Sequence, residues 1–221
     1  MSRYFSLYPQ TFYTSGANNV TSLEFVTNII SRFKFSSEIS KNSSAFYKYT
    51  VKDSDTPEII ASKFYGDSEK HWIVLMFNNI VDPLYDWPLE HSNFINFVNN
   101  KYAANGAANT PAQTGLAWAQ NANNIQSYYQ IITRKTSSTT SDTKTVTQTV
   151  QVDSTVYANI SLGSTNYTLQ DGTKITETVT KKNLTFYQFE DESNEAKKEI
   201  NLLKQEFVPA VFDEFKTLIK Q

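Results

Sequence analysis

Residues 49–72 read YTVKDSDTPEIIASKFYGDSEKHW, and the order of elements in this stretch governs how the rest of the chain is interpreted. Its first residues alternate between large and polar side chains, which predicts a short strand. Thr56 and Pro57 then mark a helix start, since a hydroxyl cap precedes proline at the first helical position. Gly66 predicts a left-handed helix stop, and the residues after it predict a second, mostly buried helix.

The rest of the chain predicts helices and strands on both sides of this stretch. Residues 21–33 predict a short amphipathic helix because apolar side chains recur at helical spacing, although a strand near 33–35 also fits. The other expected elements are a return strand near residues 83–85, a helix over 88–102, a strand over 198–203 and a final helix over 206–220.

The composition indicates a globular protein that relies on a few large rings. Aromatic residues make up 14% of the 221 residues, which suits packing and interfaces. A net charge of −2 offers no field for a phosphate backbone, so we expect no binding to nucleic acid. Cysteine is absent, and no run of about 18 apolar residues predicts a membrane span. The amino-terminal residues lack the apolar core of a signal peptide, which favours a cytoplasm or a particle assembled there.

The sequence offers no pattern that is typical of a catalytic or metal site. His71 and His91 lie on different predicted elements, and no HExxH, phosphate-binding glycine loop or GxSxG motif occurs. Acid pairs such as Asp53 and Asp55 are far more often helix caps and turn formers than the carboxylates of a glycosidase. We therefore expect a protein that is not an enzyme and has no catalytic residue, cofactor or metal.

Two long segments differ in composition from the predicted helices. Residues 103–124 are small, polar and unpatterned, which predicts a loop or linker with Trp118 as its anchor. Residues 135–182 are rich in threonine and alternate at period two, which predicts an exposed hairpin or meander. Asp171-Gly172 is the expected turn, and Gly163 marks a second one.

Residues 49–72 and the loop after them resemble the LysM module, a βααβ fold. That family has a Gly-Asp-Thr turn, an Ile-Ala helix and an Asn-rich loop, which correspond here to 54–56, 60–61 and 78–79. The resemblance implies a sugar-binding groove between two loops, but serine at the family's glycine position would crowd it, so peptidoglycan binding is doubtful. The candidate groove residues are Asp53, Ser54, Asp55, Thr56, Asn79 and Asp82.

A longer resemblance covers residues 1–102 and about 184–220. The motifs YGDSEKHW and DPLYDWPL, an aromatic amino-terminal arm and the tail segment NEAKKEINLLKQEF resemble the baseplate wedge subunit of T-even-type contractile-tailed bacteriophages, which contains a LysM-like domain. The resemblance implies a structural protein of the virion tail baseplate, assembled in the host cytoplasm. It also implies six copies per baseplate, each clamping neighbouring wedge subunits during baseplate assembly and contraction. The alternative function is a peptidoglycan-binding LysM module of a cell-wall-associated protein.

The aromatic rings of the amino-terminal arm pack either on the parent domain or on a neighbour, and docking on a neighbour is favoured because an arm without a core of its own gains stability that way. Trp72 is expected in the core. For Tyr85 and Trp87, interface, core and groove all remain open. The candidate interface residues are Tyr4, Phe5, Phe12, Tyr13, Tyr85 and Trp87.

The expected fold class is α+β, with a LysM-like βααβ module flanked by an extended aromatic arm, a β-rich insertion and a C-terminal helix. The expected domains are an amino-terminal arm and short helix (1–44), the LysM-like domain with its following helix (45–103), a linker (104–124), a threonine-rich β region (125–183) and a carboxyl-terminal strand and helix (184–221).

Overall fold

The structure, a computed structural model, describes residues 8–17, 20–28, 42–109, 113–138 and 142–219. Helices and strands both contribute to it, so the α+β class is confirmed. The chain forms two compact units. The first is built from residues up to Glu90 and from Glu195 onward, and the second is His91–Asn194, which is inserted into the sequence of the first. The domain boundaries given above remain a prediction.

The helices and strands are numbered here in chain order. The strands are β1 (Gln10–Ala17), β2 (Val20–Thr27), β3 (Phe46–Thr50), β4 (Ile125–Ser137), β5 (Lys144–Val152), β6 (Gly163–Thr168), β7 (Lys174–Thr185) and β8 (Glu199–Leu203). The helices are α1 (Pro57–Tyr65), α2 (His71–Phe77), α3 (Pro83–Asp86), α4 (His91–Lys101), α5 (Ala103–Asn109), α6 (Gly115–Gln120), α7 (Ser154–Asn159), α8 (Phe186–Ala196) and α9 (Val208–Ile219).

The first helix begins and ends where the sequence predicts. The Thr56 side chain accepts a hydrogen bond from the Ile59 N–H at 3.3 Å, and Pro57 occupies the first helical position. Gly66 adopts a left-handed conformation with φ 66°, which ends α1 because glycine has no Cβ to oppose it. A short 3₁₀ turn follows, and α2 then carries the buried side chains expected of the second helix.

The core of the first unit forms around a two-stranded antiparallel sheet of β3 and β8. Phe46 lies opposite Leu203 and Thr50 opposite Glu199, so the predicted strand near the carboxyl end is confirmed. The outer edge of β8 is closed by a side chain. The Asn78 Oδ1 accepts from the Asn201 N–H at 2.7 Å, and the Asn78 Nδ2 donates to the Asn201 carbonyl at 2.9 Å. The buried residues of this core include Ile60, Ile73, Leu202, Val211 and Phe215.

Two predictions for the first unit are wrong. Residues 20–27 form strand β2, paired antiparallel with β1, in place of a helix over 21–33. Val, Thr and Phe side chains favour a strand once a partner strand is present; residues 29–41 lie outside the described part of the chain. The return strand near 83–85 is instead helix α3, since Pro83 suits its first position and the Asp82 side chain accepts from the Leu84 N–H at 2.9 Å.

The two remaining predicted helices are present. Helix α4 runs over His91–Lys101, inside the expected 88–102. Helix α9 is confirmed, and its buried side chains recur at helical spacing along one face. They are Val208, Val211, Phe215 and Ile219.

A four-stranded antiparallel sheet with the order β5-β4-β7-β6 dominates the second unit. The sheet consists of two hairpins, β4–β5 and β6–β7, joined through the β4–β7 pair, so the predicted hairpin and its turn are confirmed and the meander is wrong. Gly172 has φ 80°, and the Leu169 N–H donates to the Thr173 carbonyl at 2.9 Å. Gly163 opens strand β6 and does not form a turn. The connection before it contains α7, which the alternation of threonines did not predict.

Residues 103–124 are not an unpatterned linker, because they contain α5 and α6. Small residues allow this packing: a Cβ on Gly115 would lie 2.2 Å from the Asn99 carbonyl, so the backbones meet at van der Waals distance only with glycine there. Trp118 is the anchor that the sequence predicts. Its ring lies 4.8 Å from that of Phe186 and 5.6 Å from that of Tyr102.

The acidic residues around position 190 lie on helix α8, and one of them is buried. Glu190 is buried, and its Oε1 accepts from the Tyr102 hydroxyl and from the Lys101 ammonium, both at 2.7 Å. Burial, together with the hydrogen bond to Glu190, raises the pKa of Tyr102 above its ordinary value. The two hydrogen bonds to Glu190 link α8 to the end of α4 within the second unit.

Candidate functional site

Among the described residues of the first unit, the most exposed apolar side chains lie in the loop that contains the short helix α3. Val81 and Leu84 are each 80% exposed and Tyr85 is 71% exposed, and we call these three side chains the loop patch. They come from residues 81–88, VDPLYDWP, which contain two prolines. The apolar side chains of this segment follow neither helical nor strand spacing. Tyr85 was predicted from the sequence, and Val81 and Leu84 were not. Apolar residues without helical or strand spacing are nevertheless a signal for side chains that no core buries.

Hydrogen bonds hold the loop patch in a fixed shape. The Asp86 Oδ2 accepts from the N–H groups of Val81 and Asp82, each at 3.0 Å, and these two bonds hold the pKa of Asp86 below its ordinary value. The Lys197 ammonium donates to the Tyr85 carbonyl at 2.6 Å. A preorganised loop loses little conformational entropy on binding, which favours a docking role.

Trp87, the next predicted interface residue, is instead part of the core. It is 9% exposed, and its indole N–H donates to the Asp55 carbonyl at 3.0 Å. That bond joins the loop after α2 to the turn before α1. The ring therefore stabilises the base of the loop patch and presents little surface to a neighbour.

The β1–β2 hairpin displays a second set of exposed rings. Phe12 lies opposite Phe25, with ring centroids 5.0 Å apart, and the two are 69% and 59% exposed. Leu23, exposed as well, faces the same side of the hairpin two positions along, and we call Phe12, Leu23 and Phe25 the hairpin face. Tyr13 is exposed on the opposite side, and Tyr4 and Phe5 lie outside the described residues.

Five of the six predicted groove residues are exposed and one is buried. Asp53, Ser54, Thr56, Asn79 and Asp82 are exposed, but Asp55 is buried. Thr56 and Asp82 cap helices α1 and α3 with their side chains. The role of these residues in binding a ligand stays a prediction.

Asp55 forms a buried polar cluster at the start of α1. Its carboxylate accepts from the Tyr49 hydroxyl at 2.6 Å, from the Lys63 ammonium at 2.7 Å and from the Lys52 N–H at 3.2 Å. Burial opposes ionisation, yet the hydrogen bonds from Lys63 and Tyr49 outweigh it and lower the pKa of Asp55. The hydrogen bond between the Tyr49 hydroxyl and Asp55, together with burial, raises the pKa of Tyr49 to about 12. The arrangement matches a structural ion pair.

Ser54 adopts a backbone conformation that favours glycine. Its φ of 74° is left-handed, which strains a residue that has a Cβ. We expect Ser54→Gly to raise the free energy of unfolding by about 0.5–1 kcal/mol, as relief of strain exceeds the entropy that glycine adds to the unfolded chain. Urea denaturation measures the change.

The matched control is Ser62→Gly, the same exchange at an exposed position inside α1. Glycine weakens a helix interior, so this variant should lose about 0.5–1 kcal/mol. A loss of stability in Ser54→Gly as well would show that the turn is not strained.

The described residues also form a cleft, and they show neither a metal-binding cluster nor a membrane-spanning helix. A cleft of about 330 Å³ in the first unit is lined by Tyr47, Phe64, Tyr65 and the segment 203–206. Across the described ranges, no group of three or more His, Asp or Glu side chains is placed to hold a metal ion. None of the helices in those ranges is both long enough and apolar enough to cross a membrane.

The comparison with protein families then decides the identity. A model of the family described as base plate wedge protein 53 matches residues 3–218. The chain belongs to this family. No curated protein matches the sequence with significance. The family match also covers the threonine-rich residues 135–182, which lie outside the motifs that resemble the T-even-type wedge subunit. This base plate wedge protein is thus a structural component of a phage tail base plate, which assembles with other base plate proteins.

Proposed function

We propose that this wedge protein clamps neighbouring wedge subunits during assembly and contraction of the baseplate of a T-even-type phage. The loop patch and the hairpin face are the two surfaces that make the contacts. Six copies act around the tail axis, and assembly takes place in the host cytoplasm. The protein acts by binding and not by catalysis, without a cofactor and without contact to nucleic acid or a membrane.

The loop patch is the observation that carries this proposal. Leu84 and Val81 are each 80% exposed on a loop that hydrogen bonds hold in place, although both side chains favour burial. Grouped apolar side chains on a rigid loop are typical of a protein interface. An apolar pocket on a neighbouring subunit would remove them from water without deforming the loop.

The β1–β2 hairpin gives independent support. An isolated two-stranded hairpin is marginally stable in water, because it buries too little apolar surface. Here the Phe12–Phe25 ring pair stays exposed, while Tyr8, before β1, packs edge-on against Phe215 of the core at 6.1 Å. The hairpin is thus attached at its base and free along its apolar face, as expected of an arm that docks on a neighbour.

The finer proposal of a LysM-like module rests on β3, α1, α2 and β8. In this arrangement the return strand is β8, which follows α2 only after the second unit and α8. The βααβ unit is therefore discontinuous in sequence. Neither the family match nor the buried position of Asp55 gives support to the alternative of a peptidoglycan-binding module.

The test of the clamp is Leu84→Asp, which places a charge at the centre of the loop patch. We expect at least about a 30-fold loss of affinity for the neighbouring wedge subunits, the scale of one interface hot spot. Co-purification of the wedge complex from co-expressed subunits measures the loss. Because Leu84 is exposed, the free variant should unfold at the same urea concentration as the wild type.

Leu162→Asp is the matched control, since Leu162 is also exposed but lies in the second unit, before β6. This variant should assemble as the wild type does. Assembly of Leu84→Asp at the wild-type level would rule out the loop patch as a contact.

A further inference from the structure

Strand β5 is an unusually unprotected sheet edge. It forms one end of the order β5-β4-β7-β6, pairs with β4 on one side, and is exposed along Lys144–Gln151. No described element pairs with its other side. An open strand edge presents a row of backbone donors and acceptors that a further strand satisfies.

The sequence of β5 lacks the usual protection of an edge strand. Natural edges are blocked by charged side chains, proline, bulges or short length. From Thr145 to Val152 the strand reads TVTQTVQV, without charge, proline or glycine, and its pairing with β4 is continuous. The opposite edge, β6, has six residues against nine and begins with glycine, so it is the weaker template.

The strand is also self-complementary. Residues 146–150 read VTQTV, a palindrome centred on Gln148. Antiparallel pairing of two copies about a two-fold axis at Gln148 places Val146 opposite the partner's Val150 and Thr147 opposite the partner's Thr149. Matched β-branched pairs stabilise adjacent strands, and no like charges oppose each other. Valines and threonines also keep to opposite faces, because side chains alternate along a strand.

We propose that the free wedge protein forms a homodimer through antiparallel pairing of β5 with β5 of a second copy. The two four-stranded sheets then become one continuous eight-stranded sheet, and both exposed β5 edges are closed. The interface is isologous, so the same residues contribute from both copies. This inference does not depend on the clamp proposed above, which uses residues of the first unit.

The dimer precedes incorporation into the baseplate. Only this order of events depends on the proposed ring of six equivalent copies, which has no two-fold axis between neighbours, so an isologous contact does not close it. Entry into the ring therefore requires the β5 pair to separate. Pairing in the free state protects β5 from the edge-to-edge aggregation to which an uncharged strand is prone.

The test places like charges on the two-fold axis. Gln148 is exposed, so Gln148→Lys leaves the monomer folded, yet in the dimer the two introduced ammonium groups face each other directly. We expect the purified full-length protein to dimerise as its concentration rises from about 1 μM to about 1 mM, the range of weak to moderate association. Gln148→Lys and Gln148→Glu should each weaken the dimer by at least about 10-fold. Analytical ultracentrifugation measures the masses and circular dichroism checks the fold.

An equimolar mixture of the two variants should restore the dimer, because the opposite charges then pair across the axis. Thr165→Lys is the matched control, with the same charge placed on the opposite edge strand β6, and it should leave the dimer intact. A wild-type protein that is monomeric at every concentration would overturn the proposal. So would a dimer that Gln148→Lys leaves unchanged, one that Thr165→Lys disrupts equally, or a mixture that stays monomeric.

Discussion

Trp72→Ala should lower the free energy of unfolding of the first unit by about 3–5 kcal/mol, the usual cost of deleting a large buried ring. Trp72 is 4% exposed at the start of α2. Its ring centroid lies 4.9 Å from that of Phe215 and 5.3 Å from that of Phe212, so the substitution empties the contact between α2 and α9. Because domains are stable by only about 5–15 kcal/mol, this loss is a large fraction of the total stability.

Urea denaturation followed by far-ultraviolet circular dichroism measures this loss. The control is Tyr85→Ala, which removes a similar ring from an exposed position, and it should change the free energy of unfolding by less than about 0.5 kcal/mol. A change in Trp72→Ala no larger than that of the control would show that the α2–α9 contact is not part of the stable core.

Sequence reasoning succeeded where the signal lies within a few residues. The start of α1 depends on the Thr56 side chain and on Pro57, and its end depends on a left-handed Gly66, all three of which act on their own helix. The same holds for the turn at Gly172 and for the apolar stripe of α9. Local physical chemistry therefore predicted the elements around residues 49–72 correctly.

Prediction from the sequence failed where the structure of a segment depends on the element that it pairs or packs against. The strand that pairs with β3 is Glu199–Leu203, far along the chain, and a return strand was expected near 83–85 although Asp82 and Pro83 there form a local helix start. Residues 20–27 have an apolar spacing that fits a helix, but pairing with β1 makes them a strand. Small residues such as Gly115 form packed helices only because α4 lies against them.

The candidate site shows the same division. Tyr85 was selected as an exposed ring and is exposed, whereas Trp87, two residues later, is held in the core by its bond to the Asp55 carbonyl. Composition does not distinguish the two, because burial here depends on which loop lies opposite. The exposed position of Leu84 likewise follows from α3 and its Asp82 cap, and α3 was not predicted.

The Asp55 cluster is the second place where a single substitution should have a large effect. Asp55 holds Tyr49, Lys63 and the Lys52 N–H together at the start of α1, and its own carbonyl accepts from Trp87. Breaking a buried ion pair usually costs about 3–5 kcal/mol because the remaining charge stays unpaired. Lys63 is about half exposed and regains water, which reduces the expected cost.

Asp55→Ala should therefore lower the free energy of unfolding by about 2–3 kcal/mol near pH 7, largely through the hydroxyl and N–H groups left without their acceptor. The neighbouring exposed Asp53→Ala is the matched control and should cost less than about 0.5 kcal/mol. Urea denaturation of both variants and the wild type, repeated across pH, measures the difference. Equal losses in the two variants would show that the cluster contributes nothing specific.

The pH dependence of that difference has a definite sign. The pKa of Asp55 is lower in the folded state than its ordinary value of 3.8, so its contribution is complete above 3.8 and is lost as the pH falls through the lower folded value. The pKa of Tyr49 rises from 10.0 to about 12, so its contribution is complete below 10.0 and is lost as the pH rises toward 12. The gap between the wild type and Asp55→Ala should thus be widest at neutral pH and narrow toward both extremes. A gap that stays constant from pH 7 down to pH 2 would mean that the ionised carboxylate is not what stabilises the start of α1.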